Sequence, residues 1–239
     1  MSDTNPGVDP FEKDVVRSGG YRYTTDAPLS SRLANERITE ASLASADWRG
    51  RRVLDLGCGD GTYTAELLRL GEPASIHGVD PAPSAVTAAN ARADDERMTF
   101  AVGSATTLPH ADGEFNLAYL RGVLHHMERP VDALAAALRL APLIVVVEPN
   151  GYNAGLKVLE RVSRYHREHA EQSFAPRRLD RWVTSVGGTL VSRRFVGFVP
   201  MFAPDRYARA AKRIEPALER TPGARQAMCA QYVFAASRR

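Results

Sequence analysis

Residues 53–64 read VLDLGCGDGTYT and residues 76–80 read IHGVD, and these two stretches limit the possible folds more than anything else in the chain. An apolar run closing on Asp-x-Gly-x-Gly-x-Gly, a helix-length segment and a second run ending in an acid describe one βαβ unit that binds an adenosine-containing ligand. The run over 52–56 reads as a short, fully buried strand. The glycines at 57, 59 and 61 permit backbone angles and close approaches that a Cβ would block, so the ligand lies against bare backbone. Asp80, at the end of a strand over 75–79, offers two acceptor oxygens to two ribose hydroxyls, an arrangement that a phosphorylated ribose would not fit.

What sits over the glycine turn separates the possible cofactors. Dinucleotide sites place a pyrophosphate on the helix start and usually write the turn Gly-x-Gly-x-x-Gly. Here Asp55 precedes the first glycine and Asp60 sits inside the turn, and two carboxylates would repel a pyrophosphate but suit a ligand with a cationic end. At this point the sequence resembles the class I S-adenosylmethionine (SAM)-dependent methyltransferases of the small-molecule type, whose first motif is acid-x-Gly-x-Gly-x-Gly. The resemblance implies that Asp55, Gly57 and Gly59 lie along the methionine end of SAM and that Asp80, followed by Pro81, takes the ribose.

The resemblance covers roughly residues 50–150. A third strand over 98–102 leads to Gly103, Ser104 and Ala105, where the family meets adenine; many relatives carry Asp at the position of Ser104. LPHADGEFNLAY over 108–119 resembles the family's LPF-x-DxxFD approach to a fourth strand, expected over 115–119, and LRGVLHHM follows over 120–127. Arg121 and His126 then join the implied cofactor wall. Arg121 reads either as a fork donor to the cofactor carboxylate or as a surface ion-pair partner. His125 and His126 suggest a metal, but adjacent histidines on a helix point in different directions and no third ligand has suitable spacing, so packing is the expected role and no metal is expected.

Strands over 52–56, 75–79, 98–102, 115–119 and 143–148 alternate with helices over 62–70, 83–93 and 131–140, which implies a parallel, doubly wound α/β sheet. Residues 189–196 and 231–236 supply two more strands. The family implies a Rossmann-like, seven-stranded, mostly parallel sheet whose last strand is antiparallel, with N-terminal helices and a helical lid. The expected organisation is an N-terminal helical segment and flap over 1–48, with a helix at 30–45, then a SAM-binding domain over 49–239 with lid insertions near 150–175 and 200–220. The later insertion reads as a cap on the substrate pocket or a dimer face. A length of 239 residues with 44% hydrophobic content fits one large α/β domain.

The remaining composition excludes more than it proposes. No apolar window of about eighteen residues exists and the first residues are polar, which predicts a cytoplasmic protein without a membrane span. A net charge of +3 is too thin and dispersed for a nucleic-acid footprint. The two cysteines, Cys58 and Cys229, make neither a disulfide framework nor a metal cluster, and Cys58 reads as a small filler within the cofactor turn. A monomer or homodimer is expected.

Candidates for catalysis and substrate contact fall outside the motif. A helix over 154–172 carries Tyr165, His166 and His169 where the family builds its lid, and histidine suits proton transfer near neutral pH; lid packing is the competing role. Tyr21 and Tyr23, flanked by glycines and threonines, form either an aromatic flap that meets a sulfonium by cation–π contact or an anchor for the N-terminal helix. Asn150 and Tyr152 follow the fifth strand as substrate or lid residues. Because the SAM methyl is already activated, alignment of an acceptor and a base suffices. The reading is methyl transfer to a small-molecule acceptor in secondary metabolism. Two alternatives stay open: a cyclase or lyase that turns SAM into azetidine-2-carboxylate and methylthioadenosine, favoured by a small closed pocket of Asn150, Tyr152 and Tyr165, and a non-catalytic SAM-binding partner protein.

Overall fold

The structure, a computed structural model, describes residues 28–162 and 172–239. In chain order the elements are α1 (Leu29–Leu43), β1 (Arg52–Leu56), α2 (Thr62–Gly71), β2 (Ser75–Asp80), α3 (Pro83–Arg92), β3 (Met98–Val102), β4 (Leu117–Arg121), a 3-10 turn (Leu124–His126), α4 (Pro130–Leu140), β5 (Leu143–Pro149), α5 (Ala154–Val162), α6 (Pro176–Ser185), β6 (Gly188–Val196), α7 (Asp205–Arg220), α8 (Ala224–Met228) and β7 (Gln231–Arg238). The strands form one sheet in the order β3-β2-β1-β4-β5-β7-β6. The first five are mutually parallel, and β7 runs antiparallel to both β5 and β6. The seven-stranded, doubly wound α/β sheet expected from the sequence is therefore present.

Because side chains alternate across a strand, each central strand feeds two cores. One face unites Val53, Ile76, Leu117, Val145 and Val147 with Ile38 and Ala41 of α1 and Leu67 and Leu68 of α2. The other unites Leu54, Leu56, Ala118, Leu120, Ile144 and Val146 with Leu134 and Leu138 of α4 and Leu179 and Val183 of α6. Near-complete burial of such side chains contributes about 1.5–3 kcal/mol each. Pro83 and Pro130 open α3 and α4 at positions where a missing N–H costs nothing.

Three details depart from the sequence reading. First, β4 starts at Leu117 and ends at Arg121, two residues later than expected. Phe115 N–H donates to Leu140 O and Asn116 N–H to Arg52 O, while Asn116 Oδ1 accepts the Arg52 N–H, and these bonds anchor the approach to the strand. Second, α1 turns a largely polar face inward: Ser31, Asn35, Thr39 and Ser42 are buried beside Ile38 and Ala41. Ser42 Oγ lies 3.1 Å from Tyr119 Oη, and Thr39 Oγ1 donates to Glu66 Oε2 at 2.8 Å. Third, the 200–220 insertion forms α7, whose buried Ala208 and Ala211 pack with Val199 and with Leu33 of α1, and whose Glu219 pairs with Arg37 of α1 at 2.7 Å. This helix buttresses α1. No helix among the described residues is long and apolar enough to cross a membrane.

Candidate functional site

In an open α/β sheet, ligands bind beyond the carboxyl ends of the strands where the strand order reverses. Here the order reverses between β1 and β4, and the glycine turn leaves β1 at that point. Gly57 has φ +78°, and a Cβ on it would lie 2.5 Å from Val123 Cγ2. Only glycine lets the segment after β4 close onto the turn after β1. Gly57 and Cys58 N–H groups donate to Val79 O, which ties the same turn to the end of β2.

Asp80 lies 7% exposed at that strand end. Its Oδ2 accepts the Gly59 N–H and its Oδ1 the Ala82 N–H, each at 2.9 Å. The carboxylate is thus fixed in place at the meeting point of both turns, with exposed Pro81 beside it. Gly103 N–H donates to Asp80 O and brings 103–105 alongside. Ser104 Oγ accepts the Thr106 N–H at 3.4 Å and lies 3.1 Å from Thr106 Oγ1, while Ala105 packs against the core.

Asp55 is 3% exposed and accepts a 2.6 Å hydrogen bond from Thr64 Oγ1. Burial pushes its carboxyl up to about 6, against the lowering effects of the Thr64 bond and of Arg121, with Asp80 adding to the rise. Asp60, the second acid of the turn, accepts the Thr62 N–H through Oδ1 at the start of α2, and Arg92 Nε donates to its carbonyl. The helix start engages Asp60, and Asp55 is the carboxylate beside Asp80. Cys58 is 8% exposed, and burial together with Asp55 and Asp80 pushes its thiol up, which suits a packed filler and not a nucleophile.

Arg121 is the last residue of β4. Its Nη1 donates to Thr39 Oγ1 at 3.2 Å, its Nη2 donates to Asn35 Oδ1 at 3.0 Å, and its guanidinium carbon lies 3.5 Å from the Tyr63 ring centroid. It braces α1 against β4 over the first turn of α2. The buried polar face of α1 accounts for this, since it supplies the acceptors.

The turn after β4 is built around Glu148, which is 0% exposed on β5. Glu148 Oε1 accepts the N–H groups of Val123 and Leu124 at 3.0 and 2.7 Å. Its Oε2 accepts the His125 N–H at 3.2 Å and lies 2.8 Å from His125 Nδ1. The rings of His125 and His126 stand 3.9 Å apart at 44°. The expectation that adjacent histidines diverge fails here because the chain makes a single 3-10 turn wrapped around one carboxylate, not a run of α-helix. Sequence reasoning singled out His126 and missed the pairing of His125 with Glu148. The available signal was an acid closing the apolar run IVVVE of β5, one strand over from the histidines.

Asn150 departs from its expected place as a substrate or lid residue. It is 0% exposed, its Nδ2 donates to Gln226 O and Cys229 O, and its Oδ1 accepts the Tyr152 N–H. All of its amide polar atoms are used in fastening the β5 end to the segment before β7. Tyr152 is 39% exposed. Tyr21, Tyr23, Tyr165, His166 and His169 lie outside the described residues.

A seven-stranded sheet in this order, with an acid-and-glycine turn after β1 and an acid at the tip of β2, defines the class I SAM-dependent methyltransferases, whose cofactor is SAM. Residues 53–142 match the methyltransferase domain family. It is similar to an uncharacterised methyltransferase of Synechocystis, 34% identical over 120 residues that make up 47% of this chain and 55% of that protein. It is also similar to a fatty-acid O-methyltransferase of Mycolicibacterium smegmatis, 28% identical over 150 residues, 59% of this chain and 53% of that protein. Among solved structures, the magnesium protoporphyrin IX methyltransferase of Synechocystis with bound SAH superposes at a TM-score of 0.69 with 17% identity, over 99% of this chain and 100% of that one. The chain spans 31% to 58% of the length of the curated relatives it matches.

Proposed function

We propose that this protein transfers the methyl group of SAM to a small-molecule acceptor held over the carboxyl ends of β4 and β5. The observation that carries the reading is the carboxylate of Asp80, locked by the Gly59 and Ala82 N–H groups at the junction of two turns. Fixed there, it accepts from both ribose hydroxyls without any reorganisation. Gly57, Cys58 and Gly59 line the methionine end with bare backbone and a small side chain, and Asp55 counters its cationic charge. Ser104 and Ala105 border adenine, with Pro81 beside the ribose. Arg121 holds the wall on the α1 side, and His126 closes it after β4.

SAM supplies an activated methyl on a sulfonium, so the chain's work is to bind, align and exclude water. Similarity to a ubiquinone biosynthesis O-methyltransferase and a fatty-acid O-methyltransferase supports a small acceptor methylated on oxygen. Titration calorimetry with S-adenosylhomocysteine and, separately, with NAD tests the cofactor assignment. S-adenosylhomocysteine is expected to bind and NAD to give no heat; binding of NAD alone would overturn the reading.

A further inference from the structure

Helix α7 carries two unlike sides. The inner side is taken up by the fold: Ala208 and Ala211 pack with Val199 and Leu33, and buried Glu215 accepts the Phe198 N–H and a Lys212 Nζ hydrogen, each at 2.8 Å. Glu219 accepts the Gly197 N–H and pairs with Arg37. These bonds fasten α7 to the segment just beyond β6 and to α1. They also turn two of its three acids inward and leave Asp205 as its exposed acid.

The outer side is patterned as well. At 3.6 residues per turn, Tyr207, Ala210, Ile214 and Ala217 fall in one row along the helix, and Arg206, Arg209, Arg213 and Arg220 fall in a row beside it. All eight are exposed, Tyr207 and Ile214 by more than half. None of the four arginines pairs with an acid among the described residues, and the Arg206 guanidinium carbon lies 4.7 Å from the Tyr207 ring centroid. Isolated exposed apolar residues are ordinary, but an apolar row running beside a cationic row, on the side that the core does not need, fits a surface that offers both apolar matter and negative charge.

We propose that the outer side of α7 docks the protein on an anionic membrane surface, the arginine row meeting lipid phosphates while Tyr207 and Ile214 enter the boundary between headgroups and acyl chains. Such a surface satisfies both rows at once. Tyrosine suits the boundary because its ring is apolar and its hydroxyl stays wet. A nucleic acid would use the arginines and gain nothing from Ile214. A second copy packed antiparallel about a twofold axis would bring both arginine rows to one side of the contact, where like charges repel. The place of α7 gives the docking a consequence. Strand β6 runs parallel to β5, since both are antiparallel to β7, so the connection holding α7 leaves β6 at the carboxyl edge of the sheet and enters β7 beside the end of β5. Docking therefore holds the edge that carries the glycine turn close to the lipid. The proposal concerns a surface and stands apart from the reaction.

Flotation of the full chain on density gradients tests it, with vesicles of phosphatidylcholine and with vesicles of equal parts phosphatidylcholine and phosphatidylglycerol. The wild type is expected to rise with the anionic vesicles, to stay behind with the neutral ones, and to be released by added salt. The double variant Arg209→Gln, Arg213→Gln is expected to partition more than about tenfold more weakly, and Ile214→Ser about fivefold or more. Both are expected to melt with the wild type, because the altered side chains are exposed. In Tyr207→Trp, emission of the new indole is expected to shift to the blue as anionic vesicles are added. Equal partition of the wild type on both vesicles, wild-type partition of the double variant, or an indole at 207 that does not shift would overturn the proposal. Failure of the wild type to float at all would do so too, leaving the two rows to an acidic protein. A dimer in sedimentation equilibrium that Ile214→Ser splits into monomers would assign them to a second copy and equally overturn it.

Discussion

Asp55 and Asp80 stand close together at this site with opposite energetic characters. Asp80 is satisfied by two backbone N–H groups and is set to accept further donors. A hydrogen bond to a charged acceptor is worth about 1.5–3 kcal/mol, so Asp80→Ala is expected to weaken SAM binding by more than about tenfold in calorimetry. Unchanged affinity would remove Asp80 from the ribose. Asp55 is instead held uncomfortably: its carboxyl ionises at about 6 in the fold, against 3.8 in an ordinary setting. From about pH 4 to 6 the folded chain binds more protons at this residue than the unfolded chain, so the stability it contributes is present below that window and is lost as pH rises through it. The loss approaches roughly 3 kcal/mol by pH 7. Asp55→Asn, which keeps an acceptor for Thr64, is therefore expected to melt higher than wild type at pH 7 and to lose that advantage at pH 4. The same substitution weakens SAM binding because the cationic end loses its counter-charge. A variant that melts no higher at pH 7 would contradict this account of Asp55.

At the scale of elements, the glycine turn and the turn after β4 form one unit. Gly57→Ala places a methyl 2.5 Å from Val123 Cγ2 on a backbone with φ +78°, and strain of this kind costs about 1–3 kcal/mol before the clash is counted. Chemical denaturation is expected to show that loss together with impaired S-adenosylhomocysteine binding; retention of both would mean that the two turns are not coupled. The strands were legible from the sequence where burial is two-sided, as in LIVVVE of β5, because such runs need no partner to be recognised. The first cofactor motif was legible because its residues are contiguous. Arg121 and α1 were not, since the inward face of α1 is polar and answers to Tyr119, Glu66 and Arg121, residues 27 to 86 positions away. The His125–Glu148 contact, 23 positions apart, was equally hidden, because it exists only once β4 and β5 lie side by side.

For the whole molecule, the sheet's two cores leave one edge for chemistry. The amino-terminal edge is closed by short connections such as Ala74 N–H to Arg51 O and Asn116 N–H to Arg52 O. At the carboxyl edge, the tips of β1 and β2 meet those of β4 and β5, with α1 clamped by Arg37 and Glu219. Asn150 locks the end of β5 to the segment before β7. Mass spectrometry of the nucleoside product distinguishes methyl transfer from consumption of SAM itself. The protein is incubated with SAM alone and then with SAM and pooled small-molecule metabolites. S-adenosylhomocysteine is expected only when metabolites are present, accompanied by one metabolite heavier by a methyl group; methylthioadenosine formed from SAM alone would contradict methyl transfer.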